Sequence, residues 1–140
     1  FSTAIESDAA PLNHLIYNVL DAAPHARCFR DPTRGGLAST LNEFAAASGV
    51  DIYVDEDSIP VRPEVRGACE MLGYDVLQVA NEGKMVAVVP ADGESAAIIG
   101  EVCEAASTRR DARPTVRVRC GWGSTRVLDM LVGEQLPRIC

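Results

Sequence analysis

Apolar residues recur along the chain with two periods. Leu12, Leu15, Ile16, Val19 and Leu20 keep the i, i+3, i+4, i+7, i+8 spacing that lines one helix face, which Ser7 or Asp8 can cap and which must end before Pro24. Leu37, Leu41, Phe44 and Ala45 repeat that spacing in a second helix stopped at Gly49. Val65, Ala68, Cys69 and Leu72 do so in a third, entered at Pro63 and stopped at Gly73. Between them lie short β-rich runs at 27–30, 50–54, 76–79 and 85–89, an alternating run at 116–120 and a last strand at 126–131. The runs 76–79 and 85–89 read as a hairpin joined by Ala80-Asn81-Glu82-Gly83-Lys84. Periodicity alone allows a helix over 94–106, while 107–113 is a polar loop and Trp122, between two glycines, reads as a packing residue. Strands alternate with helices before a strand-rich end, so the expected fold class is α/β, a mixed (α+β) sheet covered by helices.

Composition narrows the class. At 140 residues the chain suits one domain able to bury its own core. A net charge of −7 argues against nucleic acid or an anionic membrane as partner. No apolar run reaches the roughly 20 residues needed to cross a bilayer, and the start, at Phe1 without an initiator Met, carries no signal-peptide pattern. A cytoplasmic location is the expectation. Five cysteines, at 28, 69, 103, 120 and 140, are odd in number, widely spread and without a C-x-x-C pair, which favours reduced thiols over disulfides or zinc. Cys28, Cys69 and Cys103 have apolar neighbours and read as packing residues. His14 and His25 have no partner at metal-ligand spacing and read as surface residues. The acidic run Asp55-Glu56-Asp57 reads as a solvated loop rather than a cation site.

Candidate chemistry lies in three places. The strand at 27–30 runs through Asp31-Pro32-Thr33-Arg34-Gly35-Gly36 into a helix. Free N–H groups at a helix start, paired glycines that permit close approach and the charge of Arg34 suit an anion, although a turn that merely starts a helix uses the same residues. Glu82 and Lys84 sit together at an exposed turn. The chain ends on a thiol, Cys140, held on an extended arm by Pro137, Arg138 and Ile139. The adjacent α-carboxylate raises a thiol pKa, so that sulfur would need activation by whatever pocket receives it, with Arg138 its nearest cation. A frayed end with an incidental cysteine is the bland alternative.

Four ordered stretches resemble the HypE family of hydrogenase maturation factors, within the AIR-synthetase superfamily. They are the tail Gly133-Glu134-Gln135-Leu136-Pro137-Arg138-Ile139-Cys140, the turn Arg30-Asp31-Pro32-Thr33-Arg34-Gly35-Gly36-Leu37, the loop Ala80-Asn81-Glu82-Gly83-Lys84, and Ile98-Ile99-Gly100-Glu101-Val102. The resemblance implies a three-layer AIR-synthetase C-terminal-domain fold over 1–132, an extended tail over 133–140, and a strand rather than a helix at 96–102. The family's helix between 89 and 98 has no room here, so this member is shortened or residues are missing there. The resemblance further implies a nucleotide-binding domain ahead of this region, absent from the chain, that binds most of the ATP and Mg2+ and supports a homodimer.

The activity so implied is an ATP-dependent carbamoyl dehydratase. Cys140 accepts a carbamoyl group from HypF, dehydration gives a thiocyanate, and the cyanide passes to iron on the HypC–HypD complex. Glu82 is implied as the base, and Asp31, Thr33, Arg34, Gly35, Gly36 and Lys84 are the cleft or anion-binding candidates, while this fragment alone should lack turnover. Two other readings stay open: a selenophosphate-synthetase-like relative in which Cys140 is irrelevant, or a non-catalytic module that binds an anion or docks a protein.

Overall fold

A computed structural model of the chain describes residues 5–90, 97–105 and 113–130. Its elements are α1 (Asn13–Ala22), β1 (Cys28–Arg30), α2 (Gly36–Ser48), β2 (Val50–Asp55), α3 (Pro63–Leu72), β3 (Val86–Val88), β4 (Gly100–Glu104), β5 (Val116–Arg119) and β6 (Thr125–Val127), with 3-10 turns at Glu56–Ser58 and Val76–Gln78. The fold is mixed α/β. One four-stranded sheet has the order β4-β2-β5-β6, parallel between β2 and β5 and antiparallel elsewhere, and a separate two-stranded sheet pairs β1 with β3.

The core forms where α2 covers one face of the larger sheet. Leu37, Ala38, Leu41 and Ala45 of α2 pack on Ile52, Val54, Val116 and Val118, with Leu77 and Leu128 closing the edges. All ten are buried, because the β-branched residues of β2 and β5 stand in register, Ile52 beside Val116 and Val54 beside Val118. Polar ties fix the rim. The buried Asp51 carboxylate accepts the Thr115 N–H at 2.7 Å and its hydroxyl at 3.1 Å, pinning the entry of β5 to β2. Asn42 Nδ2 donates to the carbonyls of Ala38 (2.9 Å) and Leu128 (2.8 Å), tying α2 to the end of β6. Arg126 donates from Nη1 to Asp75 Oδ2 at 2.9 Å and lies 3.7 Å from Glu56 Oε1, so it joins both 3-10 turns to β6. Burial alone would lower its pKa, but the Asp75 and Glu56 carboxylates outweigh that and raise it.

The second and third helices keep the predicted bounds, each ending at a glycine with positive φ. Other expectations are corrected. The run 76–79 is a 3-10 turn, not a strand, because Asp75 Oδ1 accepts the Leu77 N–H at 3.0 Å and caps the turn locally. Strand β3 therefore pairs with β1, and Ala80 to Lys84 is a crossing loop rather than a hairpin. The first helix starts at Asn13 with no side-chain cap. Pro11 disfavours helical backbone at Ala10, and Asp8 is engaged elsewhere. None of its residues is fully buried, and Leu15 is 51% exposed. Leu72 points outward at 62% exposure, which leaves Cys69 as the buried residue of α3. Trp122 is 98% exposed at the β5–β6 turn and packs on nothing. Segment 100–104 is a strand, as the resemblance implied, although it begins later than 96.

The burial pattern sets a stability contrast. Leu128→Ala should destabilise by about 2–5 kcal/mol, as deletion of a buried leucine does. Leu72→Ala should stay within about 0.5 kcal/mol, as exposed substitutions do. Urea denaturation of both variants checks this.

Candidate functional site

Two of the predicted motifs meet at the start of α2. The chain leaves β1, passes Asp31 and the buried Pro32, and enters α2 through Gly35, which stands at the helix N-cap with φ 70°. The Gly36 N–H donates to the Thr33 carbonyl at 3.2 Å, closing the turn. Gly36 itself has φ 60°, and a Cβ there would lie 2.5 Å from the Val79 carbonyl oxygen and 2.7 Å from that of Leu77. Only a residue without a side chain lets the 77–79 backbone lie so close to the helix start. The contact is locked two residues later, where the Asn81 N–H donates to the Pro32 carbonyl at 2.9 Å.

The Ala80 to Lys84 loop is held from three directions. Asn81 Nδ2 donates to the Val79 carbonyl at 2.8 Å, so its Oδ1 is left to accept from Lys84 Nζ at 3.0 Å. Lys84 Nζ also pairs with Asp8 Oδ2 at 3.2 Å. The segment carrying Asp8 lies directly on Gly83, where a Cβ would come within 1.4 Å of the Asp8 carbonyl oxygen. Glu82 stands exposed between these anchors.

On the other side of the turn, Asp31 and Arg34 are exposed and Thr33 is half-buried. Arg30 pairs with Glu43 of α2, whereas Arg34 makes no ion pair among the described residues. The first turns of α2 are buried from Gly36 to Leu41, with the Thr40 hydroxyl donating to the Gly36 carbonyl at 3.2 Å. The arrangement thus offers an exposed carboxylate, an exposed guanidinium and a glycine-lined helix start on neighbouring loops. Cys140, together with Pro137, Arg138 and Ile139, lies outside the described residues, as do all but the last residue of the polar loop over 107–113 and the start of the segment read as strand or helix.

The remaining candidates separate from this site. The described cysteines 28, 69, 103 and 120 are free, and burial, with Asp75 adding to it, pushes the Cys69 thiol up from its ordinary value. His14 and His25 are exposed, and among the described residues no group of three or more histidine, cysteine or acidic residues could hold a metal ion. Sequence reading missed Asp8 as a partner of Lys84. No local pattern marks it, because the pair is separated by 76 positions.

Fold and motif together define the class: the chain belongs to the family of AIR synthase related protein, C-terminal domain, whose model matches residues 2–111. Among curated proteins it is similar to the carbamoyl dehydratase HypE of Cupriavidus necator, with 48% identity over 154 aligned positions, covering 100% of this chain and 42% of that protein. The chain thus spans less than half the length of that relative. The alignment is longer than the chain, so the relative also carries residues that this chain lacks within the matched region. Among solved structures, hydrogenase maturation protein HypE superimposes with a TM-score of 0.88 at 40% identity, covering 100% of this chain and 48% of that one. The same protein in complex with ATP gives 0.86 at 38% identity over 100% and 45%. A HypE–HypF complex gives 0.81 at 38% identity over 94% and 45%.

Glycine tolerance tests the site's geometry. Gly49 also has a positive φ of 68° but faces open space, so Gly49→Ala should cost about 1–2 kcal/mol from backbone strain alone. Gly36→Ala adds a collision with backbone carbonyls and should cost about 3 kcal/mol or more. Thermal and urea melts of both variants distinguish the two effects.

Proposed function

We propose that this chain is the C-terminal part of an ATP-dependent carbamoyl dehydratase that matures [NiFe]-hydrogenase, with residues 1–132 as its domain and 133–140 as its acceptor tail. The observation that carries this is the meeting of the Asp31–Gly36 turn with the Ala80–Lys84 loop, which leaves Glu82 and Arg34 exposed on adjoining loops. Its membership of the family and its likeness to HypE proteins support the same reading.

In this reading the Cys140 thiolate attacks the carbamoyl carbon presented by HypF, forming an S–C bond as the donor's bond to that carbon breaks. Sulfur suits the task because it is a good nucleophile and later a good leaving group. An amide oxygen leaves poorly until it is phosphorylated. ATP therefore places a phosphoryl group on the carbamoyl oxygen, the nitrogen loses its protons, and the C–O bond breaks with departure of phosphate, leaving S–C≡N. Glu82, within a loop anchored on both sides, accepts a nitrogen-bound proton. Asp31, Thr33, Arg34, Gly35 and Gly36 line the cleft, where Arg34 and the N–H dipoles at the α2 start favour an anion, while Lys84 at its edge is paired with Asp8. Pro137, Arg138 and Ile139 deliver the sulfur.

Among the described residues no group of three or more histidine, cysteine or acidic residues could hold Mg2+. In this reading Mg2+ and most of the ATP contacts belong to a nucleotide-binding domain outside this chain. That part also carries the homodimer contact. The HypC–HypD complex receives the cyanide, in the cytoplasm. Among the described residues no helix is long and apolar enough to cross a membrane, and the net charge of −7 disfavours nucleic acid.

Intact mass of the full-length protein after incubation with HypF, carbamoyl phosphate and ATP tests the reading. The wild type should gain a carbamoyl group and then lose the elements of water, and Cys140→Ala should do neither. Glu82→Gln should keep the adduct but lose water about 100-fold more slowly, the usual scale for a general base. An unchanged wild-type mass with active HypF would return Cys140 to an incidental residue and favour the binding-module reading.

A further inference from the structure

We propose that Asp8, Asn81 and Lys84 form a latch that positions the Glu82 loop, with Lys84 serving as a positioning residue rather than as a contact to the nucleotide. This rests on the reading of Glu82 as the base. Lys84 Nζ is already placed: it lies 3.2 Å from Asp8 Oδ2 and 3.0 Å from Asn81 Oδ1, so its charge is met by a carboxylate and a carbonyl of this chain. Asn81 cannot turn without loss, because its Nδ2 holds the Val79 carbonyl at 2.8 Å and its backbone N–H holds Pro32 at 2.9 Å. The three side chains therefore run in series from the segment at Asp8, through Lys84 and Asn81, to the turn that starts α2.

Gly83 makes the latch close-fitting. The backbone at Asp8 lies where a Cβ of residue 83 would stand, 1.4 Å from the Asp8 carbonyl oxygen and 3.2 Å from the Ala10 nitrogen. Glu82 is thus bracketed by Asn81, bonded to the core side, and by Gly83 and Lys84, covered and paired by the Asp8 segment. The Asp8 and Lys84 side chains are 36% and 48% exposed, and an exposed ion pair adds little to global stability. Its effect is instead local, holding a loop whose misplacement by an ångström can cost a base most of its rate.

The test uses the full-length protein as wild type, Lys84→Met, Asp8→Asn and Lys84→Arg, which keeps a charged donor for Asp8 and Asn81. Amide hydrogen exchange over 80–85 is read beside single-turnover water loss from the carbamoyl adduct. Lys84→Met and Asp8→Asn should each speed exchange there and slow water loss about tenfold at saturating ATP, with the apparent KM for ATP unchanged. Lys84→Arg should keep both near wild type. A raised KM for ATP in Lys84→Met, or a Lys84→Arg protein that keeps protection but not rate, would make Lys84 a nucleotide contact and overturn the proposal. Equal exchange in all four proteins would overturn it as well. If the wild type itself loses no water, the dehydratase reading fails, and exchange alone decides whether the latch holds the loop.

Discussion

The close approach of the 77–79 backbone to Gly36 is the constraint on which the rest depends. A helix start normally carries a side chain on every residue of its first turn, and any Cβ here would press into the carbonyls of Leu77 and Val79. Without one, the 3-10 turn seats Leu77 at 2% exposure beneath α2 and delivers Asn81 to the Pro32 carbonyl. Core packing and site assembly are therefore one event. The contact that buries Leu77 is also the one that aligns the two motif-bearing loops.

Polar interactions act on top of this apolar contact by fixing what it leaves adjustable. Asp75 shows the division: one carboxylate oxygen caps its own turn while the other accepts from Arg126 of β6, so the turn beneath α2 is tied to the far strand of the sheet. Arg126 lies on the core-facing side of β6, opposite Val118. Its charge is tolerated there because both neighbouring turns present carboxylates. Asp51 serves the entry of β5 in the same way through Thr115. These ties join segments 51 to 70 positions apart, distances over which chain-local preferences carry no information.

What was legible in the sequence follows from that range. The second and third helices were readable because periodicity, Pro63 and the stopping glycines all act within a few residues, and the packing agrees with them. The strands β2 and β5 were readable because β-branched residues fill a buried face. The run Val76-Leu77-Gln78-Val79 misled, since a short apolar run is equally a strand or a buried turn and only the Asp75 cap decides. The first helix misled at its start because Asp8, a plausible cap, is drawn to Lys84. Of the site, both motifs were visible as motifs. Their mutual contact was not, because it depends on an absent side chain at Gly36 and on a carbonyl more than 40 positions away.

The loop carrying Glu82 is fixed by backbone and neutral amide contacts on one side and by a surface ion pair on the other. That asymmetry has a physical sense. The Asn81 side is bonded to the turn that leads into α2, whereas the Asp8 side is held by a solvated ion pair that contributes little. In the proposed reaction the base must meet a substrate that arrives on the chain's own end and a nucleotide held largely outside this chain. There the backbone anchor would hold the carboxylate in register with the α2 start, while the Asp8 pair would set how tightly the rest of the loop is held.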